Sequence, residues 1–270
     1  QTHVLFAREL KEKYGIPYIV TAPWSGLLKA NYPTVSNAKK RVVKLIVDKA
    51  DYLVPVSHAL KNDMISQGIG KEFAVIGNVV DTSLFNQKSV IKNGPFRFLH
   101  VSNLIALKNP ETIIRAAVKV RESHANFELF IGGDGDTAPL KALVESLQVS
   151  EYIQVFGKKN LTDVADLMRT SDCFILFSDY ENLPCVLLES MSTGTPVIAT
   201  NVGGVGEIVY ENRGLLIAKK ESELIDAMVQ MLNAESRWNS SELNQYVEDN
   251  FSYLAISKQF DEIYSRILND

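Results

Sequence analysis

Residues 172–209 read DCFILFSDYENLPCVLLESMSTGTPVIATNVGGVGEIV, and this stretch decides the fold. The apolar run 173–177 ends at Ser178, a second covers 196–199, and residues 185–191 between them are helix formers. The order strand, loop, helix, strand describes a parallel α/β unit. In such units ligands sit outside the carboxyl ends of the strands, here at the loop 178–184. Two carboxylates flank the turn: Glu181 in the loop and Glu189 inside the helix.

Pro184 has no N–H and a fixed φ that suits a first helical turn. A helix beginning at Leu183 or Pro184 therefore presents the free N–H groups of Cys185, Val186 and Leu187, a place where a phosphate fits. Helical side chains lean toward the N-terminus, so Glu189 points back at the helix mouth while Glu181 stands on the opposite lip. Carboxylates accept hydrogen bonds from hydroxyl groups rather than binding phosphate. The expected ligand has a diphosphate in its middle and polyols at both ends, as a nucleotide sugar does.

The pattern Ser178-x-x-Glu181-x7-Glu189, followed by Ser190-Met191-x-x-Gly194-Thr195-Pro196 and Gly203-Gly204-x-x-Glu207, resembles glycosyltransferase family 4. The resemblance implies an α/β protein of two facing Rossmann-like domains with parallel sheets, and a retaining, metal-independent hexosyl transfer without a cofactor. In family terms residues 1–88 are a partial, acceptor-side amino-terminal domain and 89–252 the nucleotide-sugar-binding domain. Residues 253–270 form a helix that returns to the first domain. The family usually begins with a strand and a Gly-rich loop, so the first part of the amino-terminal domain is expected to lie outside this sequence.

Roles carried over by the resemblance place Glu181 and Lys108 at the chemistry, Glu181 orienting the donor sugar and Lys108 neutralising the leaving diphosphate. Glu189 holds the ribose hydroxyls. Asn103, Leu183, Pro184, Cys185, Val186, Gly133 and Gly157 complete the donor side, and Trp24 faces the acceptor. Two positions depart from the family: Asn103 stands where an arginine usually pairs with the lysine, and Pro23 stands where a histidine is common. The competing reading is a nucleotide-sugar-binding remnant without transferase activity.

The net charge of −4 gives no global attraction to nucleic acid. The two cysteines, Cys173 and Cys185, form no disulfide or zinc pattern and fit a reducing compartment. A thiol at a helix start can have a lowered pKa, but a small apolar packing role is favoured for Cys185. No apolar run approaches the roughly 18 residues of a membrane span, so the expected location is cytoplasmic, with contact at the inner membrane face through the basic helix 38–50 as a second option. That helix reads better as a solvated one, because Lys39, Lys40, Arg41, Lys44 and Lys49 surround the apolar stripe rather than oppose it. The expected partners are a UDP- or GDP-sugar and a glycan or lipid-linked acceptor.

Elsewhere the patterning predicts helices over 1–14, 57–67, 112–124, 137–147, 161–170, 222–234 and 253–268. Strands are predicted over 18–21, 52–56, 73–76, 96–101, 127–132 and 153–156. Asn109-Pro110-Glu111 reads as a capped helix start. Gly133-Asp134-Gly135-Asp136-Thr137-Ala138 imitates a dinucleotide fingerprint, but no acid follows at the end of the next strand, and its Asp134-x-Asp136 is a weak metal pattern.

Overall fold

The structure is a computed structural model that describes residues 2–27, 29, 31–87, 94–210, 212–234 and 238–269. It opens with α1 (Thr2–Tyr14), β1 (Ile19–Ala22), α2 (Asn37–Val47), β2 (Tyr52–Pro55) and α3 (His58–Ser66). Then follow β3 (Phe96–Ser102), α4 (Pro110–Arg121), β4 (Phe127–Gly133), α5 (Ala138–Ser146), β5 (Ile153–Phe156), α6 (Leu161–Thr170) and β6 (Cys173–Leu176). The chain ends with α7 (Cys185–Ser192), β7 (Val197–Thr200), α8 (Val205–Ile208), β8 (Gly214–Ile217), α9 (Glu221–Asn233), α10 (Ser240–Phe251) and α11 (Tyr253–Asn269).

Strands β1 and β2 form a small parallel sheet, and the other six a parallel sheet in the order β5-β4-β3-β6-β7-β8. The order reverses between β3 and β6. This is the doubly wound α/β arrangement, with its crevice at the carboxyl ends of those two strands. Both faces of the sheet are covered, and the strands accordingly read as continuous apolar runs. Cys173 and Ile175 face one core with Phe98, Leu129, Ile198 and Met228, while Phe174 and Leu176 face the other with Leu187, Leu188 and Val247. All four residues of β6 are buried, each large side chain contributing roughly 2–3 kcal/mol. The second core is continuous with Leu53, Val54, Leu60 and Met64 beside the small sheet.

Several expectations are corrected. Residues 73–76 form no strand of their own, only a bridge between Leu53 and Phe73. Ala74 N–H still reaches Leu53 C=O at 3.0 Å and Ile76 N–H reaches Pro55 C=O at 3.2 Å. The next bond of a parallel ladder needs the N–H that Pro55 lacks. Strand β8 and helix α10 were not expected from the patterning. Helix α2 stops at Val47, and Lys49 lies beyond it. The expected domain boundary at residues 88/89 falls outside the described residues.

The segment joining the two sheets is fastened by Arg169 of α6, whose side chain is almost fully buried. Its guanidinium donates to the carbonyls of Asn86 (2.9 Å) and Leu84 and pairs with Asp166 at 2.5 Å. Among the described residues no helix is long and apolar enough to cross a membrane.

Candidate active site

The loops leaving β3 and β6 meet over the switch crevice. The β3 loop starts from a hydrogen-bond relay. His100, fully buried, lies 2.8 Å through Nδ1 from the Ile175 carbonyl and 2.9 Å through Nε2 from Ser102 Oγ, which also accepts the Leu104 N–H at 3.0 Å. A carbonyl only accepts, so we assign the proton to Nδ1, and Nε2 accepts from the serine hydroxyl. Burial holds His100 neutral, its pKa lowered to about 4. The relay joins β3 to β6 and aims the loop that carries Lys108.

Lys108 ends a short 3-10 turn, and Asn109 after it adopts φ +47°, in the left-handed region. Asn109 occupies the position before α4 but does not cap it: its amide donates to Asp179 Oδ1 at 2.6 Å and to the Leu107 and Phe177 carbonyls at 3.2 Å. The residue read as a helix cap instead laces the β3 loop to the β6 loop. Burial pushes the Asp179 carboxyl up, but hydrogen bonds from Lys219 and Asn109 outweigh it and hold the group below its ordinary value.

Across this seam Lys108 Nζ pairs with Glu181 Oε1, and both side chains are largely shielded from water. Helix α7 begins at Cys185, with Pro184 at φ −72°, ψ 115° just outside it. Leu187 N–H turns back to Pro184 C=O at 3.2 Å, leaving Cys185 and Val186 to head the helix. Glu189, in the second turn, is partly buried, and loss of hydration raises its carboxyl to about 7. Cys185 is exposed on one side and packed on the other. Burial, then the charges of Glu189 and Glu181, push its thiol up. The thiol is thus neither activated nor packed in a core, correcting the favoured reading. Glu189 lies one turn beyond Cys185 on the same face of α7, and Glu181 precedes Cys185 by four residues.

Gly203 and Gly204 lie beneath the Glu181 loop. Gly203 has φ +54°, and a Cβ there would sit 1.7 Å from the Glu181 carbonyl oxygen. Gly204 donates its N–H to the Asn182 carbonyl at 2.8 Å, and its own Cβ would meet that oxygen at 2.2 Å and Ser57 Cβ at 2.7 Å. Only glycine allows the two loops to approach this closely. One turn on, Glu207 accepts the N–H groups of His58 (2.8 Å) and Ala59 (2.7 Å), putting a carboxylate on the N-terminus of α3. Asn182 Nδ2 donates to Pro23 C=O at 2.7 Å and Asn78 Nδ2 to Leu183 C=O at 2.6 Å. The Glu181 loop is therefore held from both sides.

The remaining expected residues are distributed unevenly. Val186 is half-buried in the first turn of α7, and Leu183 is buried in the core with its carbonyl already engaged by Asn78. Pro184 is likewise buried. Asn103 is exposed at the rim of the β3 loop, and Gly157 is open, with nothing within 4 Å of an added Cβ. Gly133, at φ +148°, is required by the fold, since a Cβ would lie 1.6 Å from the Ser102 carbonyl oxygen. Trp24 is exposed near the cleft. The fingerprint-like loop after β4 packs on the β3 loop, where a Cβ at Gly135 would fall 2.2 Å from the Asn103 carbonyl oxygen, and Asp136 Oδ1 accepts Ala138 N–H at 2.9 Å to start α5. Among the described residues no group of three or more His, Cys, Asp or Glu could hold a metal ion. His100 was missed by the sequence reading, and Glu207, quoted there within the family pattern, was given no role.

A shielded lysine and acid at a switch point, a helix mouth and a second acid with raised pKa can bind a diphosphate and the hydroxyls attached to it. The chain is 25% identical over 254 residues to the N-acetyl-alpha-D-glucosaminyl L-malate synthase of Bacillus anthracis, covering 88% of this chain and 64% of that protein. It is 28% identical over 266 residues to an uncharacterized glycosyltransferase of Methanocaldococcus jannaschii, covering 94% of this chain and 71% of the relative. It therefore spans about two thirds of the length of these relatives. The crystal structure of Anabaena HepE in complex with UDP superposes with a TM-score of 0.84 at 20% identity, over 97% of this chain and 76% of that one. Residues 81–250 match the model of the glycosyl transferases group 1, and the chain belongs to that family.

Proposed function

We propose that this chain is the donor-binding and catalytic part of a retaining, metal-independent glycosyltransferase that uses a nucleoside-diphosphate sugar. The observation that carries this reading is the shielded Lys108–Glu181 pair at the β3/β6 crevice, its acid four residues ahead of α7, the helix that carries Glu189. The diphosphate lies against the N–H groups of Cys185 and Val186, an anion site by both hydrogen bonding and helix dipole. Lys108 turns from Glu181 to the phosphate as the donor enters, and the freed Glu181 takes the hydroxyls of the donor sugar. Glu189 accepts the ribose hydroxyls.

In transfer, the bond between the anomeric carbon and the diphosphate oxygen breaks and one to an acceptor hydroxyl oxygen forms. The products are a glycoside, the nucleoside diphosphate and a proton. Lys108 and the helix end are preorganised for the charge that builds on the leaving group, the arrangement that contributes most to catalysis of this kind. With Asn103 in place of a second cation, Lys108 bears that role by itself. The family relationship and the UDP in the HepE structure support a nucleotide donor, and the acceptor side belongs to the region of β1, α2 and α3.

The test is release and transfer of sugar from a panel of UDP- and GDP-sugars by the wild type and Glu181→Gln. Turnover with at least one donor, lost in the variant, is expected. Nucleotide binding without turnover on any donor contradicts the transferase and leaves a binding protein, the reading that Pro23 and Asn103 favour.

A further inference from the structure

A cavity of about 400 Å³ opens beside the Glu181 loop, within the roughly 300–1,000 Å³ range of small-molecule sites. Trp24 and Gly26 after β1, Asn31 in the loop that follows, Ser36 and Lys39 at the start of α2, and Tyr180 from the β6 loop are among its lining residues. Tyr180 immediately precedes Glu181, and the bond from Asn182 to Pro23 ties this loop to the one bearing Trp24. Whatever fills the cavity therefore lies next to the donor sugar.

The lining has a definite chemistry. A Cβ at Gly26 would fall 2.3 Å from Trp24 Cζ2, so the indole packs against this glycine, and Trp24 is 42% exposed. An exposed apolar face of this kind suits stacking against a sugar ring. Tyr180, half-buried, comes from the opposite loop, and Asn31, Thr34 and Ser36 bring an amide and two hydroxyl groups. Among the described lining residues Lys39, an exposed side chain, is the one that carries a charge, and its ammonium makes no ion pair with any described residue.

Resting on the glycosyl-transfer reading above, we infer that this cavity receives the acceptor, and that the acceptor is a sugar carrying an anionic group, carboxylate or phosphate, that pairs with Lys39 while its ring stacks on Trp24. An ammonium is a point charge that accepts either anion, whereas a neutral sugar leaves it unpaired. Lys39 is here a specificity-determining residue for the acceptor.

The test uses the full chain with UDP at saturation. Methyl α-glucoside, methyl α-glucuronide and glucose 6-phosphate are titrated while tryptophan fluorescence is followed, with calorimetry in parallel. At least one anionic probe is expected to bind about tenfold more tightly than the neutral glucoside, the low end for a hydrogen bond to a charged group. The pair of anions tells which group is preferred. Lys39→Ala should erase the preference, and Trp24→Ala should weaken all three probes. Equal affinities, no binding of either anion, or a preference that survives Lys39→Ala overturns the inference. UDP titrated into separate samples that hold no nucleotide reads the donor site by itself. If UDP binds and the acceptor probes fail, only this inference falls; if UDP itself does not bind the wild type, the reading beneath it falls.

Discussion

Glu189 ties donor binding to pH. Its carboxyl is raised to about 7 by loss of hydration, while the ribose hydroxyls it is proposed to hold need the ionised form as acceptor. At pH 6 about one-eleventh of the group is ionised and at pH 8 about ten-elevenths, so a donor that binds only the anion gains about tenfold in affinity, or about 1.4 kcal/mol. UDP-glucose is the suitable probe because its diphosphate has no group titrating in this range. His100, near 4, and Cys185, pushed up from its ordinary value, also stay outside it. Calorimetric titration of UDP-glucose at pH 6, 7 and 8 should show affinity rising with pH in the wild type and a flat profile in Glu189→Gln. A flat wild-type profile, or the same slope in the variant, refutes the assignment of Glu189.

The same carboxyl should act on stability with the opposite sign to His100. Glu189 moves from an ordinary 4.5 to about 7 on folding, so the native state holds its proton and stability falls as pH rises through that window. His100 moves from 6.5 to about 4, so stability falls as pH drops from 6.5 to 4. The two nearly offset in the wild type, and denaturant unfolding of Glu189→Gln should gain up to roughly 3 kcal/mol on the wild type between pH 4.5 and 7.5; parallel curves count against it. Gly203→Ala forces a Cβ into the Glu181 carbonyl oxygen at positive φ, and should lose more than roughly 2 kcal/mol along with donor affinity. Gly157→Ala, in open space, should leave unfolding unchanged, and equal effects at the two glycines contradict the packing argument. Arg169→Leu strands the carbonyls of Leu84 and Asn86, costing about 3 kcal/mol and lowering Tm by roughly 6–12 °C; an unchanged Tm shows the clamp to be dispensable.

The large sheet was legible because its strands β6 and β7 are buried on both faces and so appear as apolar runs. β8, four residues at the edge of the sheet that begin with a glycine and leave Leu216 exposed, escaped notice. Helix α10 could have been found. Asn239 accepts the N–H groups of Ser241 and Glu242 and donates to the Glu242 carboxylate at 3.1 Å, a reciprocal cap spelled out by Asn-x-x-Glu. Other features depend on distance along the chain. Lys108 and Glu181 are 73 residues apart and Glu207 and His58 149 apart, so no local rule announces either contact. The Asn109 reading failed for a related reason: local propensity offered a cap, and Asp179, 70 residues on, took the amide instead.

The central claim is that the mouth of α7, between Lys108 and Glu189, binds the diphosphate of a nucleotide sugar. Calorimetric titration of UDP and GDP into the wild type, Lys108→Ala and Glu189→Ala measures this directly. One nucleotide should bind the wild type, and each substitution should weaken it at least tenfold, about 1.4 kcal/mol. Wild-type affinity in both variants would contradict the account.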